Sequence, residues 1–427
     1  MLKIVNAGAV AIAAVAALGV AMGAAQAQPL PTATPESVGM SSLRLANIDT
    51  FFNSEIARNR VPGAVVAIAR NGKLVYFKAF GLADKDKGVV MNTEAIFQLA
   101  SMTKPMAAVG ALALTEQGRL PLQGKLSDHF PAFAAMQVGM PTADGKFTLE
   151  PQKRPILIHD LFRHTAGLTY GGRPDGGSPI AALWPSGGAA SQMGKASDMV
   201  DKLTPLPLVY QPGTVFEYSL SFDVLGAVVE KITGQPLGSH LAERVWQPLK
   251  MNDMHFTVPA DKQARIAHPL RINPIDGKPQ SIAAINRPAT FDCAGACAWG
   301  TMGDYIRFGQ MLLNGGSLDG AQVLSPAFVT LMTSNHLGAD IVNRVANVEP
   351  HRAGYGYGLG VAVRLQPGLA AVPGSPDEFS WNGANGTGFF ADPKEQLVVA
   401  FGTAAPGEIR KYYREQVQNL VYGALTR

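Results

Sequence analysis

The chain has 427 residues, 47% hydrophobic and 16% charged, with a net charge of +4. That balance suits a large globular protein of two or three domains. The positive charge is small and scattered, which argues against a nucleic-acid partner, and after the first 30 residues no apolar run is long enough to span a membrane.

In chain order, the first segment reads as a leader. Lys3 supplies a positive charge, residues 7–22 form an Ala/Val/Leu/Gly run, and Ala25-Gln26-Ala27 is an A-x-A cleavage pattern. Together these predict a secretory signal peptide over 1–27 and a periplasmic or secreted mature protein. A transmembrane anchor is the competing reading, but the apolar run is short for a span of about 20 residues. No membrane association is expected after cleavage. Residues 28–40 are rich in Pro and Thr and read as extended. Residues 43–56 carry Leu43, Leu45, Ile48, Phe51 and Phe52 at near-helical spacing. Two apolar runs, 64–69 and 74–80, flank Arg70-Asn71-Gly72-Lys73; Asn-Gly between such runs predicts a hairpin. Residues 106–117 predict a helix ended by Gly118.

From 119 to 260 strand signals are sparse. Residues 156–164 and 222–233 predict helices, and the Gly/Pro/Ser-rich stretch 171–197 predicts a long surface loop. Strand patterns return at 358–365, 386–391 and 396–402, and residues 408–425 predict a closing helix. Strands at both ends with a helical middle predict an α+β fold: an antiparallel sheet flanked by helices, with an inserted, mostly helical domain. The sheet domain takes 28–118 and 261–427; the helical domain takes 119–260. The two cysteines, Cys293 and Cys297, close a tight loop, and in an exported protein they predict a disulfide; two buried thiols are the alternative. No cluster of His and acidic residues beside them suggests a metal.

The chemistry points to Ser101-Met102-Thr103-Lys104. An alcohol needs a nearby group to take its proton. In the first turn of a helix, residues i and i+3 share a face, so the two heads can meet, and Pro105 suits a helix start. Ser101 there would also turn its own backbone N–H toward a reacting carbonyl. Ser-x-x-Lys alone is a weak signal. A second segment, Tyr218-Ser219-Leu220, follows a Pro212-Gly213 turn and precedes a helix; a phenol beside an ammonium can act as a general base. A third, Trp381-Asn382-Gly383-Ala384, is read as opening a C-terminal strand. His164 reads as structural, and Asp160 and Asp223 as helix caps or solvated charges. No Gly-x-Ser-x-Gly occurs.

Ser101-x-x-Lys104, Tyr218-Ser-Leu220 and Trp381-Asn-Gly383, in that order, resemble the penicillin-recognising serine hydrolases, and most closely class C β-lactamases and family VIII carboxylesterases. Residues 161–168, 212–226, 248–251 and 355–358 add to the resemblance, which spans nearly the whole mature chain. It implies the α+β fold predicted above. It also implies Ser101 as nucleophile, Lys104 and Tyr218 as its proton-transfer partners, and the backbone N–H groups of Ser101 and Ala384 as an oxyanion hole. Leu220, Trp381, Asn382 and Gly383 would contact substrate, and no metal or organic cofactor is implied. Two departures stand out. Leu220 replaces the Asn of Tyr-x-Asn, and Trp381-Asn382-Gly383 replaces Lys-Thr-Gly. A substrate amide thereby loses a partner, a substrate carboxylate loses a cation, and apolar surface is expected in the cleft. These departures favour a carboxylesterase acting on small-molecule esters. A β-lactamase, D-alanyl-D-alanine peptidase or amide-oligomer hydrolase is the second reading, and a non-catalytic cell-wall-binding protein the third.

Overall fold

The computed structural model describes residues 30–171, 178–184, 194–286 and 289–426. The predicted leader lies outside these, as does much of the predicted loop at 171–197.

The Asn-Gly hairpin forms as the sequence dictates. Strand β1 (Gly63–Arg70) pairs with β2 (Lys73–Asp84), with Arg70 opposite Lys73. Asn71 and Gly72 both take positive φ, 51° and 72°, the geometry that matches the strand twist. Every residue of β1 is buried. Alternate side chains point to opposite faces of a strand, so Val65, Ala67 and Ala69 enter one core while Ala64, Val66 and Ile68 enter another. A strand covered on both faces needs an unbroken apolar run, which is what 63–69 supplies.

Strand β3 (Val89–Val90) flanks β2. The remaining five strands come from the C-terminal part: β4 (Tyr355–Tyr357), β5 (Ala362–Arg364), β6 (Phe379–Gly383), β7 (Thr387–Asp392) and β8 (Leu397–Gly402). They join one eight-stranded sheet in the order β4-β5-β6-β7-β8-β1-β2-β3. All seven pairings are antiparallel, and β1 meets β8 with Val66 opposite Phe401. The two ends of the chain thus build one sheet, flanked by helices as the α+β reading required.

Helix α1 (Ser42–Ala57) and the C-terminal helix α6 (Ile409–Gly423) cover one face. Ile48 and Phe52 from the first, and Tyr413 and Val417 from the second, share a core with Val66 and Ile68. Against the other face packs α5 (Met302–Leu313), and the core there continues into α2 (Thr103–Glu116). Between them in sequence lie α3 (Ile158–Phe162) and α4 (Ser221–Thr233). Twelve consecutive residues of α2, Thr103 to Leu114, are buried. A helix buried all round loses its amphipathic signal, and this one starts three residues before the predicted position at 106.

Three further expectations are corrected. The strand predicted at 358–365 is only the three residues of β5, separated from β4 before it by a turn at Gly360, φ +93°. A Cβ there would meet Ala108 at 2.9 Å and Phe222 at 3.0 Å, so the turn needs glycine to pack on α2 and α4. The helix predicted at 156–164 is only the single turn of α3. The middle segment also holds a hairpin of its own, Gln137–Pro141 with Phe147–Pro151.

Candidate active site

Ser101 is not in the first turn of α2. It lies in the 3-10 turn Ala100–Met102 just before it, and Lys104 is the second residue of the helix. Ala100 takes φ +46°, an unfavourable backbone for a residue with a Cβ and a kind of strain that clusters at functional sites. The turn is held from several sides. Met102 N–H donates to the Leu99 carbonyl at 3.1 Å, and Tyr305 Oη donates to the Met102 carbonyl at 2.9 Å. Thr103 Oγ1 donates to the Ala100 carbonyl at 2.7 Å.

The helix brings the Ser101 and Lys104 heads together, with Nζ 3.4 Å from Oγ. Lys104 is fully buried, and its ammonium has two closer acceptors, the Gly295 carbonyl at 2.6 Å and Tyr170 Oη at 3.0 Å. The expected link to Tyr218 is different in kind: Nζ lies over the Tyr218 ring, 4.7 Å from its centroid. The Tyr218 hydroxyl is buried and has no hydrogen-bond partner among the described residues. Buried hydroxyls are normally satisfied, so this one is available to an incoming group.

Tyr218 is fixed by its ring. His164, Tyr170 and Trp381 surround it at centroid distances of 4.8, 5.4 and 5.3 Å. His164 lies just past α3 with φ +56°. Burial first and the Lys104 charge second push its pKa well below the usual value. The neutral ring accepts the Ser219 N–H at Nδ1, 3.3 Å away, and so holds the Tyr218 segment in place. Tyr170 lies two residues beyond the 161–168 stretch singled out in the sequence. Burial, with Tyr218 and Asp223 beside it, pushes its phenol well above the ordinary value.

Asp223 is neither a cap nor a solvated charge. It is buried behind Lys104, and Oδ1 accepts the Gly295 N–H at 2.9 Å. Burial raises its pKa to about 6, with Lys104 and the Gly295 N–H opposing. The carboxylate form therefore prevails above about pH 6 and is lost below it. Asp223 faces Lys104 from α2 and Tyr170 from the segment after α3, so its charge bears on both. We expect an acid limb in kcat/KM centred near pH 6 that disappears in Asp223→Asn. A pH–rate series across that range checks this, and an unchanged limb in the variant would refute it.

Trp381, Asn382 and Gly383 close strand β6 instead of opening a strand. A Cβ on Gly383 would lie 2.2 Å from the Leu99 carbonyl, so glycine lets β6 press against the Ser101 turn. Ser101, Tyr218, Val348, Trp381, Asn382 and Ala384 line one small cavity of about 70 Å3. Trp381 is held by Tyr357 at 5.2 Å and by the Arg352 guanidinium 4.9 Å above its ring. Asn382 Nδ2 donates to Glu349 at 2.7 Å.

Leu220 does not line this cavity. It is fully buried at the start of α4, where Ser219 and Ser221 pair their hydroxyls at 2.8 Å and the leucine faces the core. The expected lack of a cation is also corrected. Arg410 and Arg414, one turn apart on α6, reach the same cavity. Arg414 donates to Glu349 and to the Gly383 carbonyl, and Arg410 pairs with Glu408 at 3.6 Å. A larger groove of about 1020 Å3, lined by Glu230, Lys231 and Asp292, lies toward the C-terminal end of α4, away from Tyr218.

Comparison with known proteins agrees with this geometry. Residues 48–420 match the beta-lactamase family. Esterase EstB of Burkholderia gladioli is 30% identical over 376 residues, 83% of this chain and 88% of its own. The lovastatin esterase of Penicillium rubens is 31% identical over 376 residues, 82% of this chain and 90% of its own. The solved structure of EstCE1, a hydrolase with promiscuous acyltransferase activity, superposes with a TM-score of 0.73 at 28% identity, over 89% of this chain and 99% of that one. The chain belongs to the beta-lactamase family of penicillin-recognising serine hydrolases.

Proposed function

We propose that this protein is a carboxylesterase that works through an acyl-enzyme on Ser101. The observation that carries the reading is Ser101 Oγ within 3.4 Å of the buried Lys104 Nζ, on a small cavity that Ser101 shares with Trp381 and with Tyr218, whose hydroxyl has no partner among the described residues. Ser101 Oγ attacks the ester carbonyl carbon as the Lys104/Tyr218 pair takes its proton. The backbone N–H groups of Ser101 and Ala384 receive the charge that develops on the carbonyl oxygen. As the tetrahedral intermediate collapses, the same pair returns the proton to the departing alkoxide oxygen. Water then attacks the acyl-enzyme carbonyl, giving up a proton to the pair, and as the bond to Oγ breaks the pair hands that proton to Ser101 Oγ, releasing the acid and free Ser101. The ester-named relatives support this choice of substrate.

The substrate test sets nitrophenyl acetate and butyrate beside a chromogenic cephalosporin. Leu220 offers a substrate amide no partner, and an unpaired buried amide costs about 1–3 kcal/mol. Arg410 supplies a charge near the cavity, so a carboxylate is not left without one. The expected preference for esters is therefore about 10–10²-fold in kcat/KM, at about 1.4 kcal/mol per tenfold. Equal turnover of the cephalosporin and the best ester would overturn the substrate class while leaving the nucleophile in place.

We also propose that the protein is exported. The leader pattern at 1–27 and the disulfide between Cys293 and Cys297 support this. N-terminal sequencing of the mature protein should begin at Gln28; a chain that stays cytoplasmic with Met1 intact would refute it.

A further inference from the structure

Cys293-Ala294-Gly295-Ala296-Cys297 is a five-residue loop closed on itself. The disulfide joins its ends across a Cα–Cα distance of 5.3 Å, and Cys297 N–H donates to the Cys293 carbonyl at 3.3 Å. Both cysteines are buried. The loop closes so few residues that the entropy it removes from the unfolded chain is small. Its position matters more than its contribution to stability.

At the apex, Gly295 faces the site with both backbone groups. Its carbonyl takes the shortest of the three Lys104 contacts, 2.6 Å, and its N–H goes to Asp223 at 2.9 Å. A Cβ on Gly295 would lie 2.5 Å from Asp223 Oδ2, so the apex is pressed against that carboxylate. The chain leaving the loop is tied to the Ser101 turn as well. Ala298 N–H donates to Thr103 Oγ1 at 3.0 Å, and its carbonyl accepts the Leu99 N–H at 2.9 Å. Gln98 Nε2 donates to the Ala296 carbonyl at 2.6 Å. The loop therefore touches both sides of the nucleophile: the residues before Ser101 and the ammonium after it.

A lysine head on a flexible four-carbon stem goes where its acceptors are. Here the closest acceptor is a main-chain carbonyl whose place is set by a covalent clamp two residues away on either side. We propose that the Cys293–Cys297 disulfide is a positioning element for Lys104, holding the Gly295 carbonyl where it keeps Nζ within reach of Ser101 Oγ. This rests on the reading of Ser101 and Lys104 given above and adds that the loop serves proton transfer rather than stability.

The test is the double variant Cys293→Ala/Cys297→Ala, assayed with nitrophenyl butyrate. Displacing a reacting group by about 1 Å can cost about 10²-fold, so kcat should fall about 10–10²-fold with KM within about twofold. The melting temperature should move by no more than about 5 °C. The same pair of substitutions is then made in a Lys104→Ala background, where fluorophosphonate labelling of Ser101 gives the residual rate. With no ammonium to position, opening the loop should cost less than about twofold there. An equal loss in both backgrounds would show a general structural role and overturn the inference, as would unchanged kcat in the double variant. If the double variant does not fold, Gly295→Ala with the disulfide intact displaces the apex against Asp223. It should show the same kcat loss and the same insensitivity in Lys104→Ala; wild-type kcat in Gly295→Ala would refute the proposal. Activity surviving in Ser101→Ala would instead undo the reading on which the inference rests.

Discussion

Ser101→Ala should lower ester turnover by at least about 10⁴-fold and leave the fold intact. Loss of the nucleophile from a covalent mechanism costs on the order of 10⁶-fold in a serine protease, and the lower figure allows for residual catalysis by the rest of the site. The fold should be indifferent, because the turn is held by backbone and neighbours rather than by Oγ: Met102 to Leu99, Tyr305 to Met102, Thr103 to Ala100. Lys104 keeps Gly295 and Tyr170 when Oγ is removed. The measurements are steady-state turnover, the mass shift on fluorophosphonate labelling, and the melting temperature. Turnover above about 1% of wild type in a folded variant would remove Ser101 from the nucleophile's role.

Tyr218→Phe should lower kcat by about 10²–10⁴-fold, the scale for a general acid–base group, with no loss of stability. The ring stays packed among His164, Tyr170 and Trp381. Only the hydroxyl goes, and it is a buried group without a partner, so removing it costs the native state no hydrogen bond. A stable but slow variant is therefore the expected pair of results from thermal melting and steady-state kinetics. The structure also supplies the control. Tyr170 is the phenol that the Lys104 ammonium hydrogen-bonds, so Tyr170→Phe must be measured alongside. If Tyr218→Phe is near wild type and Tyr170→Phe is not, the proton-transfer role belongs to Tyr170.

Local signals in the sequence were enough for the parts that depend on neighbours along the chain. Asn71-Gly72 placed the hairpin because both residues tolerate positive φ. The unbroken apolar run of 64–69 marked a strand, and the i, i+3 spacing of Ser101 and Lys104 brought their heads to 3.4 Å even though Ser101 lies in the 3-10 turn just before the helix. Tyr218 and Trp381 were legible through their motif, and the structure sets their rings 5.3 Å apart, tilted at 58°.

What the sequence alone did not determine is which groups are buried beside the site and which surfaces face it. Leu220 occupies a motif position, but the turn of Ser219 and Ser221 sends it into the core. Asp223 carries no mark that distinguishes it from a surface acid, and its raised pKa comes from burial behind Lys104. Gly295, nearly 200 residues from Lys104, meets its ammonium only in the folded chain, and Arg410 and Arg414, some 300 residues from Ser101, reach the cavity only because the two ends of the chain share one sheet and α6 folds back across it. Hydrogen bonding and desolvation act through space. A single sequence records them only where a local pattern happens to coincide with a spatial neighbour, and at this site it did so for Ser101, Lys104, Tyr218 and Trp381 but not for Asp223, Gly295 or the arginines.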